Sequence, residues 1–151
     1  MRIKTVLLTI LLLAVPFFAL ADEALDLKKK ILFDQKRLVV MENMDFTEEE
    51  GKVFWPVYDK YQEELFQIGQ RGAKLILAYA AVYQSLTDEQ ATELINEYYN
   101  IQDERLTSMK KMAADVGKVL SGKKAFRYLQ VENKLNAIAR FEIAKEIPLA
   151  Q

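Results

Sequence analysis

The longest regular pattern in the sequence is an apolar stripe that begins at Phe54 and ends at Val82. Its members alternate spacings of four and three residues: Phe54, Tyr58, Tyr61, Leu65, Ile68, Gly72, Leu75, Tyr79 and Val82. A heptad spacing of this kind lays the apolar residues along one helix face, which packs beside another helix at a shallow angle. We therefore predict a helix over 48–84, and any fold must supply this helix with partners along its length.

Three further helices are predicted, because helical periodicities recur while strand-like alternation is scarce. Their approximate bounds are 24–43, 88–120 and 123–146. The apolar stripe of the first helix holds Leu27, Ile31, Leu38 and Met41. The stripe of the third holds Ala91, Leu94, Ile95, Tyr98 and Ile101 in its first half, and Leu106, Met109, Ala113, Val116 and Leu120 in its second. The stripe of the fourth holds Tyr128, Val131, Leu135 and Ile138. The predicted fold class is all-α, with four long antiparallel helices.

The length of the second helix favours an elongated, hairpin-like bundle. At 1.5 Å per residue a helix over 48–84 is about 55 Å long, whereas a compact domain of about 130 residues has a radius of gyration near 14 Å. Such a helix fits inside a compact globule only if it breaks, and Pro56 is the residue most able to kink it.

Two similar pentapeptides, FTEEE and LTDEQ, mark helix starts forty residues apart. In a capping box, Thr at the N-cap accepts a hydrogen bond from the amide three residues later, and Glu or Gln at that position reaches back to the amide of the cap. Thr47 with Glu50, and Thr87 with Gln90, fit this pattern. Each cap is expected to contribute about 1 kcal/mol to stability.

The residues that precede the two caps are apolar. Phe46 and Leu86 stand where a hydrophobic staple begins, but the usual staple partner positions hold only Gly51 and Ala91. We therefore expect Phe46 and Leu86 to pack on another helix.

The N-terminal residues have the organisation of a secretory signal peptide. Arg2 and Lys4 precede an apolar run that ends in a small-x-small pattern at Ala21, and the run is shorter than the about 20 residues that span a bilayer. We predict that residues 1–21 are cleaved after Ala21, leaving 22–151 as a single all-helical domain. The protein is then expected to be periplasmic and to meet the membrane only through its signal peptide before cleavage.

Composition excludes several function classes. The predicted mature chain carries 19 basic against 22 acidic residues, so no electrostatic reason to bind nucleic acid exists. Histidine and cysteine are absent, which removes the usual general base and the preferred zinc, copper and nickel ligands. No nucleophile has a base at recognisable spacing and no phosphate-binding loop is present. We expect a protein that is not an enzyme and needs no cofactor.

Carboxylates at the two helix starts leave one metal hypothesis open. They are Glu48, Glu49, Glu50, Asp88 and Glu89, and they would have to meet in a dimer to hold an ion. The helix dipole already accounts for acidic residues in a first turn. A carboxylate-based metal response is therefore retained only as a lesser alternative.

The stretch AKLILAYAAVY at 73–83 is apolar on nearly every side. Such a helix segment requires burial all round, which one helical hairpin does not provide. We therefore predict a homodimer, with an interface formed by Leu75, Ile76, Tyr79, Val82 and Tyr83.

The LTDEQ pentapeptide and its degenerate first copy, in a small exported helical chain, resemble the periplasmic LTXXQ-motif family of Spy-like and CpxP-like proteins. The motif residues are Phe46, Thr47, Glu50, Leu86, Thr87 and Gln90. The resemblance implies an intertwined, cradle-shaped antiparallel dimer that binds unfolded clients without ATP or reports envelope stress to a membrane sensor. The chain departs from the family in its first motif, its mild acidity and its lack of histidine, so it is interpreted as a divergent branch.

Two functions of different classes follow. The first is an ATP-independent periplasmic chaperone or stress-response protein, since tyrosines and the methionines Met41, Met44, Met109 and Met112 suit adaptable binding surfaces. The second is a regulatory module that docks on one periplasmic sensor domain. Broad suppression of aggregation distinguishes the first function from a saturable contact with a single partner.

Overall fold

The computed structural model describes residues 29–30 and 32–150. Every regular element in this part of the chain is an α-helix, which confirms the predicted all-α fold. The helices are α1 (32–44), α2 (Glu48–Val82), α3 (Asp88–Val119) and α4 (Gly122–Ala144). The predicted signal peptide lies outside the described residues, and so does the start of the first predicted helix.

The chain divides into two compact units, one up to Val39 and one from Val40 onward. In the first unit the described residues belong to helical turns, and Lys29 Nζ lies 5.6 Å from the centre of the Phe33 ring. The second unit contains the end of α1 and the three long helices.

Successive long helices run antiparallel. Lys111 Nζ lies 2.8 Å from Glu64 Oε1, and Arg71 NH2 lies 2.8 Å from Glu97 Oε1, so residue numbers rise along α2 as they fall along α3. The helix α4 then returns beside α2, because the ring of Tyr128 lies against that of Phe54 and Glu132 lies against Gln62. The predicted antiparallel order is thereby confirmed for α2, α3 and α4.

The hydrophobic core lies at one end of these helices, where α2 begins, α3 ends and α4 begins. We call this region the core end. Its buried members come from all four helices and the turn after α3: Val40, Met44, Phe54, Tyr58, Tyr61, Met112, Val116, Leu120 and Tyr128. Aromatic rings dominate its centre, since ring centroids lie 5.0 Å apart for Phe54 and Tyr128 and 5.8 Å apart for Phe54 and Tyr58.

The end of α1 is held by cations from the first turns of α4. Arg127 Nε donates to the carbonyl oxygen of Asn43 at 2.6 Å, and Lys124 Nζ donates to that of Asp45 at 3.1 Å. Asp45 adopts a left-handed conformation with φ of 52°, the common way in which a helix ends. The carbonyls of Asn43, in the last turn of α1, and of Asp45, just after it, thus accept hydrogen bonds from positive side chains of α4.

The apolar stripe predicted on α2 is confirmed, but its burial falls along the helix. Phe54, Tyr58, Tyr61 and Ile68 are buried, whereas the stripe residues from Leu75 onward are only half-buried. The helix continues through Pro56 as one element of 35 residues.

The stripe predicted on α1 is rotated, and the stripe predicted on α3 is confirmed in part, since its members Ile101, Val116 and Leu120 are buried. On α1, Leu38 and Met41 are more than half exposed, while Val40 and Met44 enter the core. On α3, Leu106 is exposed, and the buried residues are Ile101, Ser108, Met112 and Val116. The helix α1 carries apolar residues on two adjacent faces, so spacing alone did not determine which face turns inward.

Candidate binding surface

Both predicted capping boxes are formed. Thr47 N donates to Glu50 Oε2 at 2.9 Å, and Glu50 N donates to Thr47 Oγ1 at 3.2 Å. Thr87 N donates to Gln90 Oε1 at 3.1 Å, and Gln90 N donates to Thr87 Oγ1 at 3.2 Å. The two motifs therefore fix where α2 and α3 begin, as local hydrogen bonding predicts.

Phe46 differs from its expected placement. Its ring centroid lies 4.6 Å from that of Phe54 and 5.7 Å from that of Trp55, so it packs on α2 itself, two turns beyond the cap. The staple is formed one turn further along the helix than usual, because the standard partner position holds glycine.

The first motif also makes a tertiary contact. Lys124 Nζ forms a hydrogen-bonded ion pair with Glu50 Oε2, the same oxygen that accepts from the cap amide. The Lys124 ammonium, together with the Thr47 amide, lowers the pKa of Glu50 below its ordinary value. Glu50 thus joins the start of α2 to the start of α4.

The acidic residues proposed as metal ligands stand at opposite ends of α2 within one chain. Glu48, Glu49 and Glu50 form its first turn, and Asp88 and Glu89 follow its last turn. A helix of 35 residues is about 52 Å long. Among the residues that the structure describes, no group of three potential ligands lies close enough to hold a metal ion.

A buried polar cluster lies beside the aromatic core. The carboxylate of Glu132 is fully buried (0 % exposed), where Gln62 Nε2 donates to it at 3.4 Å and Asn136 Nδ2 at 3.3 Å. The hydroxyl of Tyr128 donates to it at 3.5 Å. Burial of a carboxylate is costly without such donors. Glu132 follows Tyr128 by four residues and precedes Leu135 by three, so its place in the apolar stripe was the signal for its burial.

Burial within this cluster perturbs neighbouring titratable groups. Burial, reinforced by the negative charge of Glu132, raises the pKa of Tyr61 and Tyr128 well above the ordinary value for tyrosine. Burial and the nearby Arg140 guanidinium lower the pKa of Arg105. Both hydroxyls therefore stay protonated at any physiological pH, which suits a structural role.

Two shallow grooves lie along the α2–α3 seam, with volumes of about 320 and 520 Å³. Their charged walls are largely neutralised in pairs. Lys111 donates to Glu64 and lowers the pKa of that carboxyl, and Arg71 does the same for Glu97. The carboxylates therefore stay ionised and paired, so they are poor candidates for proton transfer near neutral pH.

Large apolar side chains are exposed at the other end of the long helices, where α2 ends, α3 begins and α4 ends. We call this region the far end. Leu77 of α2 is 70 % exposed and Phe141 of α4 is 67 % exposed. Others there that are at least half exposed are Ile95, Tyr98, Tyr99, Ile138, Ile143 and Leu149. Residues 137–144 of α4 and the two residues that follow the helix are exposed without exception.

The residues predicted to form a dimer interface all lie in this region. Leu75, Ile76, Tyr79, Val82 and Tyr83 are each half-buried within the single chain. The hydroxyl of Tyr79 donates to the carbonyl oxygen of Pro148 at 2.9 Å, so the segment after α4 returns to α2. The structure brings these five residues to one end of the bundle, far from the motif residue Thr47.

The methionines do not form the adaptable surface expected from the sequence. Met44 and Met112 are buried in the core, and Met109 packs against it. Of the four, only Met41 is mostly exposed. The exposed apolar residues are instead aliphatic and aromatic side chains of the far end.

Comparison of the chain with models of protein families, with curated proteins and with solved structures found no match. No helix among residues 29–30 and 32–150 is both long and apolar enough to cross a membrane. Membership of the LTXXQ-motif family stays a prediction from the two pentapeptides.

Proposed function

We propose that the protein is a periplasmic, ATP-independent chaperone that holds unfolded or partly folded polypeptides on its far end. The proposal also places the chain in a divergent branch of the LTXXQ-motif family. Two observations support it: the pentapeptides FTEEE and LTDEQ, and the exposed apolar surface of the far end, whose chemistry suits unfolded chains.

The exposure of residues 137–144, the last eight of α4, is the observation that carries the proposal. Residues 137–146 include Ile138, Phe141 and Ile143, each at least half exposed. An isolated helix segment of this length is marginal in water, and contiguous apolar exposure is characteristic of interaction sites. Such a surface gains free energy by covering its apolar area with apolar groups of another chain.

The side-chain chemistry of the far end suits a ligand without a fixed sequence. Tyr98 and Tyr99 each offer an apolar ring and a polar hydroxyl, and their ring centroids lie 5.4 Å apart. Tyrosine binds apolar groups with its ring and backbone groups with its hydroxyl. Burial of apolar groups is non-directional, and a few hydroxyl donors add hydrogen bonds to the backbone. A surface of this kind favours the binding of many different client sequences over the binding of one.

A second copy of the chain is the competing occupant of these residues. The predicted homodimer would cover Leu75, Ile76, Tyr79, Val82 and Tyr83, which are half-buried in one chain. Sedimentation velocity from 1 to 100 μM tests this alternative on the same protein. A dimer that dissociates when client is added supports both occupants, whereas a dimer that persists and binds no client contradicts the proposed use of the far end.

The function is tested by light scattering of a chemically unfolded enzyme such as citrate synthase, diluted with and without the protein and without ATP. Suppression by wild type and its loss in Phe141→Ser is expected, because serine removes an apolar side chain from the far end. Phe126→Ser is the matched control, since Phe126 lies on the same helix and is 61 % exposed but belongs to the core end.

Equal loss of suppression in both variants would place the effect outside the far end. Absence of suppression by wild type across several unrelated clients would contradict chaperone function. The regulatory module would then be the remaining hypothesis, and its single partner would be sought among periplasmic sensor domains.

A further inference from the structure

The segment that follows α4, residues 145–150, turns back toward α2. We call it the return segment. The helix ends with hydrogen bonds from Lys145 N to Phe141 O, Glu146 N to Ile143 O and Ile147 N to Ala144 O, which tighten its last turn. The next residues leave the helix, and Pro148 O accepts from the hydroxyl of Tyr79.

Burial along this part of the chain changes at one residue. Residues 137–146 are all exposed, Ile147 is half-buried, and Leu149 is 88 % exposed. The return segment is therefore anchored at Ile147 and Pro148. These are an apolar side chain and, one residue later, a backbone carbonyl that accepts a hydrogen bond.

An apolar side chain followed by a free carbonyl is a feature that any extended, unfolded apolar peptide offers. Tyr79 supplies the donor, and Tyr83 places a second ring 6.2 Å from that of Tyr79. Backbone carbonyls carry no sequence information, so a hydroxyl donor beside apolar surface recognises extended chains in general. We call this part of α2 the Tyr79 seat.

We propose that the Tyr79 seat binds extended apolar peptide through a hydrogen bond from the Tyr79 hydroxyl to a backbone carbonyl, and that the return segment occupies the seat until a client displaces it. The return segment is a built-in competitor at the client-binding surface. The proposal rests on the proposed function for the identity of the displacing chain, but not for the recognition of the return segment itself.

The contacts of the return segment are sparse enough for exchange. Beyond the backbone bonds of residues 145–147 to the end of α4, one neutral hydrogen bond from Tyr79 joins the segment to α2, and Ile147 is its one half-buried side chain. This combination is typical of segments that open locally. Because the segment is joined directly to α4, it competes at a high effective concentration. A client binds only while the seat is free, so the apparent affinity equals the intrinsic affinity multiplied by the fraction of molecules with a free seat. Release of the segment is expected to raise the apparent affinity about threefold to tenfold.

The test uses the full chain and a fluorescein-labelled peptide with the sequence of residues 143–150. Fluorescence anisotropy is expected to show binding to wild type, and binding about threefold to tenfold tighter to Ile147→Ser, which loosens the return segment. Leu149→Ser is the matched control and is expected to equal wild type, because this side chain is 88 % exposed. The double variant Tyr79→Phe/Ile147→Ser is expected to bind the peptide more weakly than Ile147→Ser alone, because phenylalanine has no hydroxyl to donate.

A second readout follows the return segment directly. The chain contains no cysteine, so Ala150→Cys accepts a single spin label. Addition of excess unlabelled peptide is expected to sharpen its spectrum, since the displaced segment moves freely. A spectrum that does not change while the peptide binds would overturn the competition, and so would equal peptide affinities for Ile147→Ser and Leu149→Ser.

The two proposals fail separately. Loss of aggregation suppression with intact peptide exchange at Tyr79 would remove the chaperone function and keep the seat. Aggregation suppression that is unchanged by Ile147→Ser, with no peptide binding in any variant, would remove the seat and keep the chaperone function.

Discussion

At the core end of the long helices the aromatic side chains are buried against one another, whereas at the far end comparable side chains face solvent. Phe54, Tyr58 and Tyr128 are at most 1 % exposed, but Phe141 is 67 % exposed on the same helix as Tyr128. Both ends contain a capped helix start and a short turn. Helix formation is therefore comparable at the two ends, and the difference lies in tertiary packing.

The two halves of the long helix α2 differ in burial although their apolar spacing is the same. Its stripe continues at heptad spacing from Phe54 to Val82, yet only the first half meets enough neighbours to be buried. The core end stabilises the fold by about 25 cal/mol per Å² of buried apolar area, while the apolar area of the far end stays exposed in the single chain.

The largest expected effect comes from removal of a ring at the core end. Tyr128→Ala should lower the free energy of unfolding by about 3–5 kcal/mol, because the substitution leaves a cavity among Phe54, Tyr58 and Met44. Phe126→Ala, two residues earlier and 61 % exposed, should change it by at most about 0.5 kcal/mol. Urea denaturation followed by far-UV circular dichroism measures both, and similar losses would contradict the contrast between buried and exposed rings on α4.

Substitution of Glu132, the buried carboxylate that borders the core, is expected to lower the free energy of unfolding by a smaller amount. Glu132→Ala should destabilise the protein by about 2–3 kcal/mol, since it leaves the amides of Gln62 and Asn136 without their acceptor. Glu132→Gln keeps an acceptor of similar shape and should cost less. Thermal denaturation of both variants tests this order, and a Glu132→Ala variant as stable as wild type would show that the cluster does not join α4 to α2.

The smallest effect is a pH dependence at the core end. The pKa of Glu50 is lowered from its ordinary value of 4.5, so the unfolded state binds the proton at higher pH than the folded state. Its stabilising contribution is thus fully present above about pH 4.5 and is lost as the pH falls through the lower folded pKa.

Urea titrations between pH 3 and 7 should therefore show a shallower loss of stability at low pH in Glu50→Gln than in wild type. Lys124→Gln should also weaken the pH dependence of the free energy of unfolding in this range, because Lys124 is the main cause of the lowered pKa of Glu50. If the free energy of unfolding depends on pH in both variants as it does in wild type, the ion pair does not link α2 to α4 in solution.

Much of the fold was predictable because its determinants are local. The capping boxes join residues three apart, and the observed starts of α2 and α3 are the predicted ones. The rotation of α1 was not predictable in this way, since Leu38 and Met41 are three residues apart and Val40 and Met44 four apart, and both spacings are helical. Either pair suits an amphipathic helix, and only the position of the neighbouring helices selects one.

The candidate site was predictable in part. The apolar character of residues 73–83 indicated an interaction surface, and the structure leaves the five predicted interface residues half-buried and Leu77 exposed in one chain. The exposed residues of α4 and the bond from Tyr79 to Pro148 were not predicted, because they depend on contacts between residues 69 positions apart.

The sequence by itself determined the helical class, the helix starts and the apolar stripe of α2, since each follows from hydrogen bonds or periodicity within a few residues. Tertiary structure alone decided that Glu132 is buried, that Lys124 meets Glu50 and that the far end stays exposed. The physical reason is that burial depends on which surfaces meet, and residues far apart in the chain determine those surfaces only after the helices pack.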